Sequence, residues 1–429
     1  MSRGFLRLTV AVLGLLVMPP ASAGAQAGAQ APPALQARAW ILIDARTGET
    51  LAARTAARPL SIASATKLMT AHLALQNLRL GRRVRMAPYS ALPVESVLGV
   101  PAGTRISVRD LLYSLILRSG NDSAYTLAEV VAGSQPRFVA MMNRSAAALG
   151  LSETHFTNPI GLDAPGNHSS ARDLAALTDR LLENKTFVRL ADSSSARLRS
   201  LSRPLTIASR NTLLLRAPWV TGVKTGHTLD AGYVLVGSAR RKGVELISVV
   251  LGAPSETQRD SESLDLLEYG FSQYRVRRPV RGGEIVASPS IRYAGGELPL
   301  RAAHPITVGV RRGQAVQSSI RAPEEVTGPI RRDRRLGRVT VAVDGRVAGA
   351  AALLASRSIA EASTFDKVRS QTAAVPALIA IVASAILLVV LVTRRRRRTG
   401  RPSEEEMQAI RENRRRIREQ RRGGRETRR

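Results

Sequence analysis

Ser64-Ala65-Thr66-Lys67, near the start of a stretch with helical character from Ile62 to Leu80, is the segment on which the reading turns. On a helix, positions i and i+3 share a face, so Ser64 Oγ and Lys67 Nζ can meet. A serine hydroxyl needs a base to become a nucleophile. A neutral lysine amine serves when burial or a second cation depresses its pKa, and arginine cannot. The S-x-x-K spacing alone is weak evidence in a chain of 429 residues. Only five of the 64 basic residues, however, are lysines: Lys67, Lys185, Lys224, Lys242 and Lys367. A retained lysine therefore points to a place that needs a compact, deprotonatable amine; chance retention is the rival explanation for any one of them.

Two further clusters extend the argument. Ser119-Gly120-Asn121 follows the apolar run Leu111 to Leu117, whose helix begins at the cap Ser107-Val108-Arg109-Asp110. There a hydroxyl could relay protons while an amide holds a substrate carbonyl or the lysine. Taken alone, the triplet is explained more simply as a helix C-cap turn, and Ser209-Arg210-Asn211 has the same form. Lys224-Thr225-Gly226 stands just before a strand at Gly232 to Gly237. A strand carrying Lys and Thr on an open edge can bind an extended peptide and its carboxylate, and glycine permits close backbone approach. His227 follows; a lone histidine is usually structural and is not assigned the role of base.

Composition narrows the chemistry. With 44% hydrophobic and 23% charged residues the chain is not wholly disordered, and its length suits two or three domains. No Cys is present, which excludes disulfide scaffolds, Cys-ligated zinc, iron–sulfur clusters and a Cys nucleophile. Five His make a multi-His metal site unfavoured, so neither metal nor cofactor is expected. Aromatics at 3% argue against stacking platforms for single-stranded nucleic acid.

The termini suggest export. Residues 1–23 combine Arg3 and Arg7, an apolar run Leu8 to Met18 and Ala21-Ser22-Ala23, the pattern of a secretory signal peptide. An Ala-, Gln- and Pro-rich linker follows over 24–37. Residues 372–393 carry no charge and span roughly 33 Å if helical, enough for one transmembrane helix. Arg394 to Arg398 place the following end in the cytoplasm. The expected location is thus the cell membrane, single-pass, with residues between signal and span outside. The formal charge of +31 then divides: the basic cytoplasmic tail 394–429 holds 16 Arg and 6 Glu, the signal peptide carries two Arg, and +19 remains outside. The tail should meet anionic lipid, and the exterior suits an anionic envelope rather than nucleic acid.

Between these ends, two zones appear. From 38 to 274, helical and strand patterns alternate, with a hairpin at Trp40–Asp44 and Thr50–Ala53, strands at Gly232–Gly237 and Val244–Leu251, and a helix at Leu264–Phe271. Strands at both ends suggest one mixed α/β (α+β) domain whose sheet joins the chain ends. From 275 to 360, short β-like pieces (Glu284–Ala287, Ile306–Val310, Val316–Ile320, Gly337–Val343, Arg346–Ala350) alternate with turns, reading as a small all-β domain.

S-x-x-K, then S-x-N, then K-T-G, in that order, resembles the motif set of penicillin-recognising serine enzymes. More matches: Phe156-Thr157-Asn158-Pro159-Ile160-Gly161-Leu162-Asp163, Ser170-Ala171-Arg172-Asp173-Leu174-Ala175, Asn211-Thr212 and Gly222-Val223-Lys224-Thr225-Gly226 resemble the D-alanyl-D-alanine carboxypeptidases, the low-molecular-mass penicillin-binding proteins. The stretch Ala322 to Leu354 looks like that family's C-terminal β-domain. The resemblance covers residues 36 to 360. It departs at Gly166-Asn167-His168-Ser169, where the family more often has Gly-His-Tyr-Ser, and in its membrane span, where several relatives end in an amphipathic helix. The resemblance implies a DD-peptidase/β-lactamase-like catalytic domain with an antiparallel sheet and helices. It makes Ser64 the acylated nucleophile and Lys67 its base, with Ser119 and Asn121 assisting proton transfer and positioning substrate. Lys224 and Thr225, with Gly226, bind the terminal carboxylate. The backbone N–H groups of Ser64 and His227 form the oxyanion hole, and Arg259 is a carboxylate-binding arginine, for which plain surface charge is a rival. The implied partners are the peptidoglycan stem peptide and β-lactam antibiotics as acylating inhibitors.

Two other functions remain in view. A serine β-lactamase needs a Glu-activated water, and no convincing Glu-x-x-x-Asn loop lies between Asn121 and Lys224. A non-catalytic envelope-binding protein on the same fold would have no need of Ser64, Lys67 and Lys224 together.

Overall fold

The computed structural model describes residues 31–364, 366–367, 375–399 and 403–423. The expected signal peptide and residues 24–30 of the linker lie outside the described residues.

The first compact unit begins with the hairpin β1 (Ala39–Asp44) and β2 (Thr50–Arg54). A 3₁₀ turn at Ala63–Thr66 runs directly into α1 (Lys67–Asn77). There follow β3 (Arg83–Arg85), β4 (Arg105–Ser107), α2 (Val108–Tyr113), α3 (Asn121–Ala132), α4 (Gln135–Ala148), α5 (Ala171–Leu182) and α6 (Lys185–Ala191). Then come β5 (Ser195–Leu198), β6 (Leu205–Ala208), α7 (Leu213–Arg216), β7 (Val220–Thr228), β8 (Gly232–Arg241), β9 (Val244–Ala253) and α8 (Glu256–Ser272). The main sheet has the order β2-β1-β9-β8-β7 and is antiparallel throughout, so the two ends of this unit do meet in one sheet.

Alternation along these strands feeds two cores. Ile41, Ile43, Val234, Val236, Ile247 and Val249 face one, which also holds α1, α3 and α5 residues. Trp40, Leu42, Leu235, Leu246 and Val250 face the other, against Leu266 and Leu267 of α8. Helix α1 is buried from Lys67 through Ala74, as a helix apolar on nearly every side must be. Its first residue is the exception in kind: a lysine with no exposed surface.

Glycine fixes how the chain packs over α1. Gly161 has φ +84°, and a Cβ there would stand 2.0 Å from the Ala63 carbonyl oxygen. Replacing Gly161 by Ala should cost about 3 kcal/mol through strain and overlap. That is a fall of roughly 6–12 °C in the catalytic unit's Tm, checked by thermal unfolding; an unchanged Tm would contradict this packing.

A second compact unit comprises Arg278–Ile306, Gln317–Ala342 and the chain from Gly349 onward, while Thr307–Val316 and Val343–Ala348 cluster with the first. Its region is β-rich, with β10 (Arg275–Val280), β11 (Ile285–Ala287), β12 (Ser290–Ile291), β13 (Leu300–Ala302), β14 (Ile306–Val310), β15 (Val316–Arg321), β16 (Glu325–Val326), β17 (Arg335–Val343) and β18 (Arg346–Ala355). Five of these form a sheet of order β11-β13-β18-β17-β15, and β10 pairs with β14. Helices Val375–Thr399 and Glu404–Gly423 follow. Among the described residues no helix is long and apolar enough to cross a membrane. Of the span expected at 372–393, residues 372–374 lie outside the described residues.

Candidate active site

The 3₁₀ turn puts Ser64 one turn ahead of Lys67, at the N-terminal end of α1, where the helix dipole favours developing negative charge. Lys67 Nζ donates to Ser64 Oγ at 2.9 Å and to the Ile160 carbonyl oxygen. The turn is strained: Ala63 adopts φ +48°, a conformation that side chains bearing Cβ rarely take. Burial of the Lys67 amine, aided by the Arg210 charge and opposed by Glu95 and Asp122, lowers its pKa to about 7. The amine beside the hydroxyl is therefore substantially neutral near neutral pH, which is what a general base requires.

Ser119 ends the helical run begun by α2. Ser114–Arg118 forms a single π turn, and Ser119 closes it with φ +65°. The backbone of this triplet is that of a helix C-cap turn. Left-handed geometry stops the helix, and it carries Ser119 Oγ to within 3.0 Å of Lys224 Nζ. Lys224 also donates to the Thr225 carbonyl oxygen at 2.6 Å. Burial foremost, then the charges of Lys67, Arg210 and Arg259, pushes Lys224 well below the usual lysine value. Two buried amines repel, and the charge of Lys67 adds to the burial that lowers Lys224.

Strand β7 is one edge of the main sheet. Its Gly226 passes so near Ser64 that a Cβ there would lie 2.9 Å from the Ser64 backbone nitrogen. Thr225 is buried beside Lys224. His227 is exposed, its ring stacked on Tyr233 at 4.1 Å, with no contact that would make it a base. Arg259 lies 3% exposed on α8 and gives its Nε and Nη2 to Asp260 at 2.9 and 2.7 Å, and Nη2 to Glu256 at 2.9 Å. Its fork is thus bound to carboxylates of its own helix, and its influence on the site runs through its charge on Lys224.

Asn121 opens α3, and its Nδ2 donates to Glu95 Oε2 at 2.7 Å; Tyr89 OH donates to the same oxygen. The Leu92 N–H holds Glu95 Oε1 at 3.1 Å. Burial opposes ionisation of Glu95, but these donors and the Lys67 charge outweigh it and hold the carboxyl below its usual value. The Glu95–Tyr89 pair and Arg210 escape a motif reading. Glu95 sits 26 residues from Asn121, and Arg210 looks like one arginine among 59 until its charge is found acting on both buried lysines. Because Glu95 raises the Lys67 pKa, Glu95→Gln should lower it further. The acid limb of the acylation pH profile then moves to lower pH, measured by penicillin acylation kinetics; an unmoved limb would contradict the coupling. Among the described residues no group of His, Cys, Asp and Glu could hold a metal ion.

A serine on a strained turn, a buried amine of depressed pKa and a second buried lysine beside an open strand edge define a serine acyl-transfer enzyme of the penicillin-recognising class. The profile of the D-alanyl-D-alanine carboxypeptidase family matches residues 26–255, and the chain belongs to that family. It is a serine D-Ala-D-Ala carboxypeptidase of peptidoglycan, within the low-molecular-mass penicillin-binding proteins. The D-alanyl-D-alanine carboxypeptidase DacC of Escherichia coli is 32% identical over 373 residues, 82% of this chain and 92% of the relative. DacD of Salmonella typhimurium is 35% identical over 303 residues, covering 68% of this chain and 77% of its own. The crystal structure of penicillin binding protein 5 from Haemophilus influenzae superposes with a TM-score of 0.55 at 29% identity, covering 77% of this chain and all of that one.

Proposed function

We propose that Ser64 is the residue acylated, with Lys67 as its base. Ser64 Oγ attacks the carbonyl carbon of the penultimate D-alanine while Lys67 Nζ takes its proton. The C–N bond then breaks, and the leaving amine takes the proton that Lys67 received, relayed through Ser119 Oγ, so Lys67 is again a free amine. Water, deprotonated by Lys67, attacks the ester and returns the hydroxyl to Ser64. Backbone N–H groups of Ser64 and His227 hold the oxyanion, and Lys224 with Thr225 receives the substrate's terminal carboxylate along β7. Asn121, its amide fixed by Glu95, orients the stem peptide. The observation that carries this reading is the 2.9 Å contact of the fully buried Lys67 amine, its pKa lowered to about 7, with Ser64 Oγ. Arg259 contributes positive charge behind Lys224.

The enzyme acts outside the membrane and is anchored by the uncharged segment 372–393. Support comes from Arg394 to Arg398 after it and from side chains such as Ile379, Leu387 and Leu388, each about 60% exposed with no protein surface covering them. The Arg-rich tail meets anionic lipid on the cytoplasmic side.

The test uses a pentapeptide ending in D-alanyl-D-alanine, with free D-alanine measured. Stoichiometric release per turnover with the tetrapeptide as co-product supports the assignment. Intact penicillin labelling without D-alanine release would contradict it.

A further inference from the structure

Outside the catalytic cleft, the first unit holds a concave site that the chemistry above does not use. Arg275 and Arg277 on β10, with Arg311, Arg312 and Gln314 in the turn after β14, line a cavity of about 660 Å³. The turn is fixed by reciprocal bonds, Arg311 N to Gln314 Oε1 at 2.9 Å and Gln314 N to Arg311 O at 3.2 Å. Arg311 is paired with Glu49 at 2.6 Å. Among the described residues, the side chains of Arg275, Arg277 and Arg312 make no hydrogen bond or ion pair.

A cavity of that volume is roughly 10 Å across, comparable to the Debye length of about 8 Å at physiological salt. Four guanidinium groups around it repel one another, and the carboxylates of Glu49 and Asp44 offset one of them, Arg311. Nothing within the unit is gained by this convergence, so its natural occupant is an anion. The guanidinium fork fits phosphate oxygens in pairs, and this chain uses arginine where charge alone would permit lysine. Arg275 and Arg277 stand two residues apart on one strand face, roughly 6.7 Å along it, so successive charges on an extended chain can each meet a fork. A concave wall of this kind suits a polymer segment better than a flat bilayer surface.

We propose that this cleft binds an anionic phosphodiester polymer of the cell envelope, holding the enzyme near its substrate independently of the catalytic groove. The test titrates the full chain, in neutral detergent at near-physiological salt, with poly(glycerol phosphate), read by calorimetry. The variant Arg275→Gln, Arg277→Gln, Arg312→Gln should weaken binding at least about tenfold, the equivalent of losing one charge-assisted contact. The control Arg58→Gln, Arg137→Gln, Arg144→Gln removes the same charge from exposed sites elsewhere and should change binding less than about twofold. Penicillin labelling should persist in both, showing that they are folded. Equal weakening by the two variants, no binding by the unmodified chain, or equal binding of a polyuronate of matched charge would overturn the proposal. So would binding confined to anionic lipid vesicles.

Discussion

Replacing Ser64 by Ala abolishes acylation. D-alanine release falls by roughly 10⁴-fold or more, and no covalent penicillin adduct forms. The expectation is sharp because, among the described residues, the buried amine contacts this hydroxyl and one carbonyl oxygen: Lys67 reaches Ser64 Oγ at 2.9 Å and the carbonyl oxygen of Ile160. Removing one half-buried hydroxyl leaves the Ile160 contact and the core around α1 intact, so the variant should unfold close to the original temperature. Mass spectrometry of the unmodified enzyme after penicillin exposure should find the adduct on the peptide bearing Ser64. An adduct elsewhere, or acylation of the Ser64→Ala variant, would contradict the assignment.

Replacing Lys67 by Arg has a comparable effect for a different reason. The charge is kept and a donor still faces Ser64, but arginine stays protonated throughout the accessible pH range. The variant can hold the hydroxyl and cannot take its proton, so acylation should drop by roughly 10³-fold with no recovery at high pH. The larger planar head must also fit a site with no exposed surface, so folding needs an independent reading by circular dichroism. A folded Lys67→Arg enzyme that acylates at near-normal rate would show that the base lies elsewhere.

How much of this was legible in the chain depended on whether the geometry is local. Ser64 and Lys67 were readable because one helical turn sets their distance, and the lysine stood out against an arginine background. The hairpin at the start, strands β8 and β9 and the piece Ile306–Val310 were readable from alternation and turn residues. Helix α8 was anticipated only over Leu264–Phe271, because its first half is polar; Glu262 is buried there to accept the Gln36 and Ala37 N–H groups, a long-range contact invisible to periodicity. The left-handed backbone at Ala63 and Ser119 was hidden because neither is glycine. The Glu95–Asn121–Tyr89 network was hidden because a loop and a helix meet there without any fixed spacing. Arg259 was found by position in the chain, and its engagement with Asp260 and Glu256 required the fold.

The central claim is that burial makes the Lys67 amine a base at neutral pH. Its ordinary pKa of 10.5 falls to about 7, so below that value the amine is chiefly ammonium and above it chiefly free. The direct measurement is the second-order rate of penicillin acylation of the unmodified enzyme across pH. The account predicts a rate that rises about tenfold per pH unit on the acid side and levels off above about pH 7, where the amine is already deprotonated. A rate that stays flat through this range, or that climbs only near the ordinary lysine value, would contradict it.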